Sequence, residues 1–348
     1  RLWMPGATIP ARAGVEESTS IAMDEDRRFP VEGYRDELRL FCYRMGGSLQ
    51  DAEGLVEAVV FQADGLPLPL TDADSTRVEL FKIAARLCLN ALTDQPPRGV
   101  PCDSNPPSDP YLPPLEPEAG DFWLEPFPDD LYPGTGYSGE IRYAERESVS
   151  LPFLAALQSL RPRQRLILIL GDAMGWRIET LAEVMGAGVV DARHLLEEAR
   201  DSMPQVYDEK LGRREPPGED RETDVLMRYL YPWEAGDVEG LMERLSEDVI
   251  LQLPPSPSWY EGRDAVGKHL SSFPLQGDAR GRWRLLPRRA NGQLAFGVYR
   301  KDEERNIYSA HSIQVLHFTG ELASEIITFR YPSFFPSFKL LPEVAVQG

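Results

Sequence analysis

Proline in one central segment determines how this chain can be divided into folded units. Residues 96–140 contain 12 of the chain's 31 prolines. Proline fixes φ and has no N–H to donate, so this segment can form neither a helix nor a central strand. A second break, at 204–220, contains Arg213-Arg214 and Pro216-Pro217-Gly218, which interrupt any periodic pattern. Linkers at 96–141 and 204–220 therefore predict three folded units in the 348 residues.

The first two units show helical periodicity. In residues 31–95, apolar residues recur at helical spacing from Tyr34 to Met45, and two further helices follow. In residues 142–203, Pro152 suits the first turn of a helix, and the last two helices flank a glycine-containing break. This spacing is typical of a helix-turn-helix. The sequence therefore predicts a small helical bundle followed by a helix-turn-helix unit.

The third unit, residues 221–338, changes from helices to strands. Two helices, at 223–231 and 238–245, precede a strand at 249–253 and a short helix at 263–270. Four β-rich runs follow, near 282–288, 293–300, 308–318 and 321–330. This order predicts an α+β domain whose curved sheet wraps around helices.

Charge and cysteine content narrow the function classes. The chain has 37 basic and 56 acidic residues, a net charge of −19, and no segment is basic. This balance argues against nucleic acid as a partner, because phosphate binding depends on Lys and Arg. Cys42, Cys88 and Cys102 form neither a disulfide framework nor a metal pattern. With no membrane-spanning run and no signal sequence in residues 1–30, we expect a reduced cytoplasmic protein without a membrane partner.

Short motifs in the helical units resemble a known family. Residues 41–48 (FCYRMGGS), followed by Asp-Ala-Glu at 51–53, resemble the start of region 2 of extracytoplasmic-function sigma factors. Residues 83–90 resemble the helix that closes that region. Residues 157–165 (LQSLRPRQR) are similar to the entry to region 4, whose helix-turn-helix would begin at 179–186.

The third unit carries the more specific resemblance. Residues 233–238 (WEAGDV), and Pro254-Pro255 with 259–263 (WYEGR), resemble a SnoaL-like domain. Residues 327–329 and 334–338 resemble the tail of sigma factors that carry such a domain. The chain is thus identified, over about 31–338, as a member of this branch of the RNA polymerase sigma-70 family. The resemblance implies a multidomain fold of two all-α sigma-like domains and a cone-shaped α+β domain like nuclear transport factor 2.

The resemblance also implies partners and site residues. The partners would be the RNA polymerase core and promoter DNA, and the SnoaL-like domain would regulate transcription by contacting the sigma-like domains. The aromatic tail, with Phe334, Phe335 and Phe338, is expected to mark that contact. The polymerase clamp would meet Asp51, Glu53 and Glu57. The candidate DNA-binding residues are Arg163, Arg165, Arg177, Arg193, His194 and Arg200.

Departures from the family pattern point to weak DNA binding. Gly54 lies inside the second helix, where glycine costs about 1 kcal/mol relative to alanine. The basic cluster expected after the third helix is replaced by Thr-Asp-Gln-Pro-Pro-Arg at 93–98. The recognition helix, 189–203, has two basic and four acidic residues. The alternative is therefore a sigma-derived protein that has lost promoter recognition and acts through protein contacts.

A SnoaL-like cone encloses a pocket, which leaves open an enzyme or a ligand binder as a third alternative. His311 and His317 are six residues apart, so strand alternation predicts one face for both. A metal would need a third ligand, and the sequence offers none at a diagnostic spacing. We expect neither metal nor cofactor, and favour a transcription factor over an enzyme. The candidate pocket residues are Asp248, Tyr260, His269, His311 and Glu325.

Overall fold

A computed structural model gives the fold of residues 31–64, 73–93, 95–117, 120, 122–133, 149–211 and 221–346. The first helical unit consists of α1 (Arg35–Gly46), α2 (Leu49–Ala63) and α3 (Ala73–Ala91). Gly47 adopts φ 73°, a conformation that glycine tolerates, and ends α1. Ser48 then caps α2 by accepting a hydrogen bond from the Asp51 N–H. The predicted three-helix bundle is present.

The second helical unit contains the predicted helix-turn-helix. Two helices, α5 (Leu151–Ser159) and α6 (Pro162–Leu168), lead through a π-helical turn to α7 (Ile178–Met185) and α8 (Val189–Leu211). Helix α8 continues past Met203, where the sequence predicted a linker, although Pro204 removes one helical hydrogen bond. The rest of that linker, 212–220, and residues 142–148 lie outside the described residues.

The proline-rich segment is packed against its neighbours. It contains one short helix, α4 (Pro101–Ser104), so the prediction of no helix is wrong there. Pro101 stands at the helix start, where its missing N–H is not needed. Trp123, Leu124 and Phe127 are buried, and the Trp123 Nε1 donates a hydrogen bond to the carbonyl of Pro255. The segment therefore joins the helical units to the C-terminal unit as a structural element of its own.

The C-terminal unit has three helices, α9 (Glu222–Ala235), α10 (Val238–Met242) and α11 (Arg263–Ser272), against one sheet. The strands are β1 (Leu245–Gln252), β2 (Trp259–Glu261), β3 (Trp283–Ala290), β4 (Gln293–Asp302), β5 (Ile307–Thr319), β6 (Leu322–Phe329) and β7 (Glu343–Ala345). Their order in the sheet is β2-β1-β6-β5-β4-β3, with β7 paired to β5. Strands β1 and β6 are parallel, and the other paired strands are antiparallel.

This sheet is buried on both faces. Side chains alternate along each strand, so neighbouring residues enter different cores. Phe296 and Val298 lie on the inner face, in the core beneath α9–α11. Ala295, Ile313 and Phe329 lie on the outer face and belong to the same buried cluster as residues of both helical units. The predicted packing of the C-terminal domain on the helical units is therefore confirmed.

The aromatic tail lies in the same buried cluster as residues of both helical units. Residues Pro332–Phe338 form a 3-10 helix in which Phe335 and Phe338 are buried. The ring of Phe335 meets Tyr299 of β4 edge-on, with 5.0 Å between centroids. The tail therefore covers its own sheet within the core that it shares with the helical units, and Lys339 also contacts the linker, with its Nζ 3.0 Å from Asp130.

One buried arginine joins the two helical units. Arg165 of α6 is 3% exposed and donates hydrogen bonds to the carbonyl oxygens of Leu157, Gln158 and Leu160, near the end of α5. It also donates to the carbonyl of Met45 in α1. Burial lowers the pKa of Arg165 to about 10, so the guanidinium remains charged at neutral pH.

Arg165→Met tests this connection. The substitution leaves several buried carbonyl oxygens without a donor, so we expect the free energy of unfolding to fall by about 2–4 kcal/mol. Urea denaturation followed by circular dichroism measures the change. The control is Arg163→Met, an exposed site on the same helix, for which we expect a change under about 0.5 kcal/mol. Equal unfolding midpoints for the two variants would contradict a structural role for Arg165.

Candidate functional site

The glutamates predicted to meet polymerase form ion pairs between α1 and α2. The Arg39 Nε lies 2.5 Å from Glu53, and the Arg35 guanidinium lies 2.6 Å from Glu57. The arginine beside Glu57 lowers the pKa of that carboxyl. The Glu53 and Glu57 side chains remain 44% and 65% exposed. The two glutamates therefore help to hold α1 against α2, and they also form an exposed acidic stripe on one side of α2.

Asp51 connects the start of α2 to the proline-rich segment. Its carboxylate lies 2.6 Å from the guanidinium of Arg98, whose side chain is 5% exposed. Glu125, from the same segment, accepts hydrogen bonds from the N–H groups of Leu49 and Gln50 in the first turn of α2. The linker thus caps the helix that carries the acidic stripe.

The helix-turn-helix exposes few cations. Gly186, at φ 59°, makes the turn between α7 and α8. Arg193 and His194 lie exposed near the start of α8, as predicted for residues that contact DNA. Glu197 and Glu198 are exposed one turn later on the same helix. The helix therefore presents charges of both signs to any duplex.

The other predicted DNA-binding residues differ in availability. Arg163 and Arg177 are exposed, with Arg177 3.5 Å from Glu179. Arg200 forms an ion pair of 2.5 Å with Asp172. The prediction for Arg165 is wrong, because its guanidinium is buried and its donors are used by protein carbonyls.

Side chains from α3 and α7 hold the two helical units in direct contact. Lys82 of α3 lies 2.8 Å from Glu183 of α7. The Arg77 guanidinium stacks over the ring of Trp176, just before α7, at 4.6 Å. Phe81 packs on the same ring, with 4.9 Å between centroids. The two units therefore share an interface of apolar, cation–π and ionic contacts.

The β3–β4 turn meets both helical units and the linker at one side chain. Asn291 and Gly292 have φ of 55° and 71°, as Asn-Gly turns require. The Asn291 Nδ2 donates to the Tyr43 hydroxyl of α1 at 2.7 Å and to the Val149 carbonyl before α5 at 2.8 Å. Its Oδ1 accepts from the Phe127 N–H of the linker at 2.8 Å. This buried side chain is a junction of all three units.

The groups around Asn291 complete the junction. The Tyr43 hydroxyl donates to the Glu125 carbonyl at 2.7 Å, and burial raises the pKa of Tyr43, so the hydroxyl stays neutral. The Tyr43 and Phe127 rings lie 4.6 Å apart. Arg289, beside the turn, lies 3.3 Å from Asp129 of the linker. These polar contacts are satisfied only while the C-terminal unit is docked.

A cavity of about 260 Å³ lies between the inner face of the sheet and helices α9 and α11. His269 and His311 line it, as predicted. Burial and the nearby Arg330 charge lower the pKa of each of these histidines to about 4, so both are neutral at pH 7. Tyr260 lies outside the lining and stacks on His269, with 4.2 Å between ring centroids.

A β-bulge and the alternation of side chains along the strands determine which of the candidate pocket residues face this cavity. The β4–β5 pairing skips His311, and this bulge turns His311 inward. His317 lies on the outer face, opposite Glu325, so the prediction of one face for both histidines is wrong. Glu325 accepts a hydrogen bond from Gln252 at 2.7 Å on that outer face, and Asp248 is exposed on β1. Neither acid is a pocket residue.

Two important residues, Arg330 and Asn291, are not among the site residues predicted from the sequence. Arg330 lines the cavity, and its even spacing from Ile326 and Thr328 was an available signal that it faces inward. Asn291 was recognisable as a turn residue, but its partners come from distant parts of the chain. Within the described ranges, no group of three His, Cys, Asp or Glu residues could hold a metal ion, and no helix is long and apolar enough to cross a membrane.

Comparisons with known proteins agree with this architecture. The chain is 33% identical over 310 residues to a Mycobacterium tuberculosis protein named ECF RNA polymerase sigma factor SigG, covering 89% of this chain and 82% of the relative. It is 24% identical over 221 residues to SigJ of the same organism, covering 63% and 62%. The crystal structure of SigJ matches with a TM-score of 0.56 at 20% identity, covering 89% of this chain and 98% of that one. No family model matches.

Removing two acids from α8 should strengthen DNA binding. Glu197→Gln with Glu198→Gln reduces repulsion of phosphates and frees Arg161, which lies 3.6 Å from Glu198. We expect affinity for any duplex to rise about 3- to 10-fold at low salt, with a smaller gain at high salt. Fluorescence anisotropy with a labelled duplex measures it.

The matched control is Glu303→Gln with Glu304→Gln, an exposed pair in the C-terminal unit where Glu303 also has a basic partner, Lys301. We expect its affinity to stay within about two-fold of the unmodified chain. If both double variants bind DNA equally, the α8 acids face away from the duplex.

Proposed function

Since the chain belongs to the extracytoplasmic-function RNA polymerase sigma factors, we propose that its C-terminal domain holds it in a closed state that must open for transcription initiation. As a sigma factor with a SnoaL-like domain, it acts in transcription initiation with the RNA polymerase core and promoter DNA. Such a factor works where polymerase and DNA are, in the cytoplasm.

The hydrogen bonds of Asn291 are the observation that carries this proposal. One buried side chain connects the first helical unit, the linker and the start of the second unit. None of the three can move away without leaving a buried polar group unsatisfied, which costs about 1–3 kcal/mol each. The C-terminal domain therefore stabilises the arrangement in which the two helical units stay together.

Direct contact between the helical units conflicts with reading two separate DNA elements. Duplex DNA rises about 34 Å per helical turn, so units that read elements a turn or more apart must stand apart. Here Lys82 and Glu183 are 2.8 Å apart, and Arg77 stacks on Trp176. We therefore assign this arrangement to the factor before it engages a promoter.

The acidic stripe on α2 is the surface we assign to polymerase. Glu53 and Glu57 are partly exposed and held in fixed positions by arginines of α1. Carboxylates fixed in this way meet a basic partner with less loss of side-chain entropy than mobile ones. Electrostatic complementarity of this kind speeds association as well as stabilising the complex.

We also propose that the factor is not an enzyme. General acid–base chemistry works best when the pKa of the catalytic group lies near the working pH. Burial and Arg330 lower the pKa of both cavity histidines to about 4, and no carboxylate of the described residues lines the cavity. These properties favour a binding or structural role for the domain.

Two observations favour the second candidate, a sigma-derived protein without promoter recognition. Glu197 and Glu198 are exposed on the recognition helix, and Arg165 is used inside the protein. Such a protein would bind polymerase core without promoter preference. Promoter-specific transcription with core polymerase, as measured for Asn291→Gly, separates the two candidates, because only a protein that recognises promoters yields a specific transcript.

Asn291→Gly should open the closed state. Glycine keeps the left-handed backbone conformation of the turn and removes only the side chain. We expect core polymerase supplied with this variant to make about 3- to 10-fold more promoter-specific transcript, since closure is weakened by about 1–2 kcal/mol.

The control for Asn291→Gly is Asn306→Gly, an exposed turn residue at φ 51° in the same domain. It should leave transcript yield unchanged. A folded Asn291→Gly variant with yield equal to or below that of the control would contradict the closed-state proposal.

A charge swap separates the two roles of the acidic stripe. Glu53→Arg should abolish binding to core polymerase, but it also breaks the ion pair with Arg39. Combining it with Arg39→Glu restores an ion pair of opposite orientation, although it also replaces the pair between Arg39 and Asp36 with two carboxylates three residues apart. We expect this swapped variant to recover stability within about 1 kcal/mol and still fail to bind polymerase in a pull-down. Restored binding would show that the stripe serves only to pair α1 with α2.

A further inference from the structure

The cavity in the C-terminal domain has a charge opposite to that of the protein. The chain carries a net charge of −19, yet the described lining residues include Arg282, Arg300 and Arg330 and no Asp or Glu. Arg282 donates to the carbonyl oxygens of Pro274 and Gln276 and is committed to the fold. The other two arginines give the cavity its positive potential.

Arg330 forms no ion pair with a described residue, although the exposed carboxylate of Glu116 lies near enough to favour its charged form. Within the described part of the chain, its Nε is buried and has no hydrogen-bond partner, and its guanidinium forms no ion pair. Burial lowers the pKa of Arg330, which reflects the cost of keeping the charge there. A charged group removed from water is stable when an opposite charge binds it.

The other polar residues that line the cavity do not supply that charge. His269 and His311 are neutral at pH 7. Gln314 is already used, since it accepts from Tyr229 and donates to Thr328. The Nδ1 of His269 is buried in the cavity wall without a partner among the described residues. An added anion would therefore supply the negative charge that the lining residues lack.

The rest of the cavity wall is apolar. It includes Leu251, Leu253, Phe273, Trp283 and Val298. A free phosphate would leave these walls in contact with water, and a neutral hydrocarbon would leave Arg330 unpaired. The volume of about 260 Å³ exceeds the 150 Å³ cavity that holds benzene, and so fits roughly 10 non-hydrogen atoms.

We propose that this cavity binds a small organic monocarboxylate, with its carboxylate on Arg330 and its apolar body against the leucine and tryptophan walls. Arginine pairs with carboxylates through two parallel hydrogen bonds, which fixes the orientation of the ligand. Arg300, exposed beside the cavity, attracts the anion from solution.

The proline-rich linker forms part of the same cavity. Pro114 is a lining residue, and the next residue, Leu115, donates its N–H to the Ser258 hydroxyl at 2.8 Å. Nearby, the Trp259 Nε1 donates to the Asn105 carbonyl at 2.8 Å. A bound ligand therefore contacts the segment that joins the two sigma units. We expect ligand binding to strengthen docking of the linker. A regulatory effect of this stronger docking rests on the proposed closed state.

Calorimetry on the full chain tests binding with benzoate, phenylacetate and octanoate, each paired with its neutral amide. We expect at least one carboxylate to bind with a Kd below about 1 mM and at least about 10-fold more tightly than its amide. Equal affinity for acid and amide, or no binding by any of the three carboxylates, would overturn the proposal.

Substitutions of Arg330 test whether this residue binds the carboxylate of the ligand. Arg330→Met should weaken carboxylate binding about 10-fold or more, while Arg330→Lys keeps the preference for acid over amide. Arg305→Met, an exposed site paired with Glu343 on the β4–β5 turn, is the control and should bind as the unmodified chain does. If a folded Arg330→Met variant binds the carboxylate normally, Arg330 is not the anchor.

Hydrogen exchange tests the link to the linker. With the tightest of the three carboxylates bound, amide exchange over residues 105–115 should slow relative to the free chain. Unchanged exchange would overturn the coupling while leaving the binding site in place. Because neither measurement uses polymerase, their outcome is independent of whether Asn291→Gly raises transcription.

Discussion

The buried amide of Asn291 is the contact on which the arrangement of this sigma factor depends. Its three hydrogen bonds join parts of the chain that are separated by more than 100 residues from the turn that carries it. Apolar residues on the outer face of the sheet surround this junction. If one of the hydrogen bonds of Asn291 breaks, water therefore cannot easily reach the freed polar group and replace its partner. The hydrogen bonds of Asn291 and the apolar contacts around them together select one geometry for docking of the C-terminal unit.

The use of arginine explains how an acidic chain maintains this geometry. Arg35 and Arg39 pair with the stripe on α2, Arg98 pairs with Asp51, and Arg165 joins the helical units through carbonyl oxygens. Cations that could contact phosphate are thereby used within the protein. We therefore expect low DNA affinity in this state, and an affinity after opening that depends on which of these contacts persist.

The sequence was sufficient for features determined locally. The helices of the first two units and the α+β order of the third unit both follow from residues close together in the chain. The burial of Arg165 could not be predicted in this way, because one of its hydrogen-bond acceptors is the carbonyl of Met45, 120 residues away. The inward position of His311 depends on a bulge that simple alternation does not reveal. Long-range partners and strand register therefore set the limit of prediction from this sequence.

The separation between the helical units, measured with and without polymerase, tests the closed state most directly. Spin labels at Asp64→Cys and Asp201→Cys, both exposed, report on the first and second units in a Cys102→Ser background. Double electron–electron resonance should give one short distance in the free factor and a distance longer by about 10 Å or more when core polymerase is bound. The same short distance in both samples would contradict the account, because the factor would then act without opening.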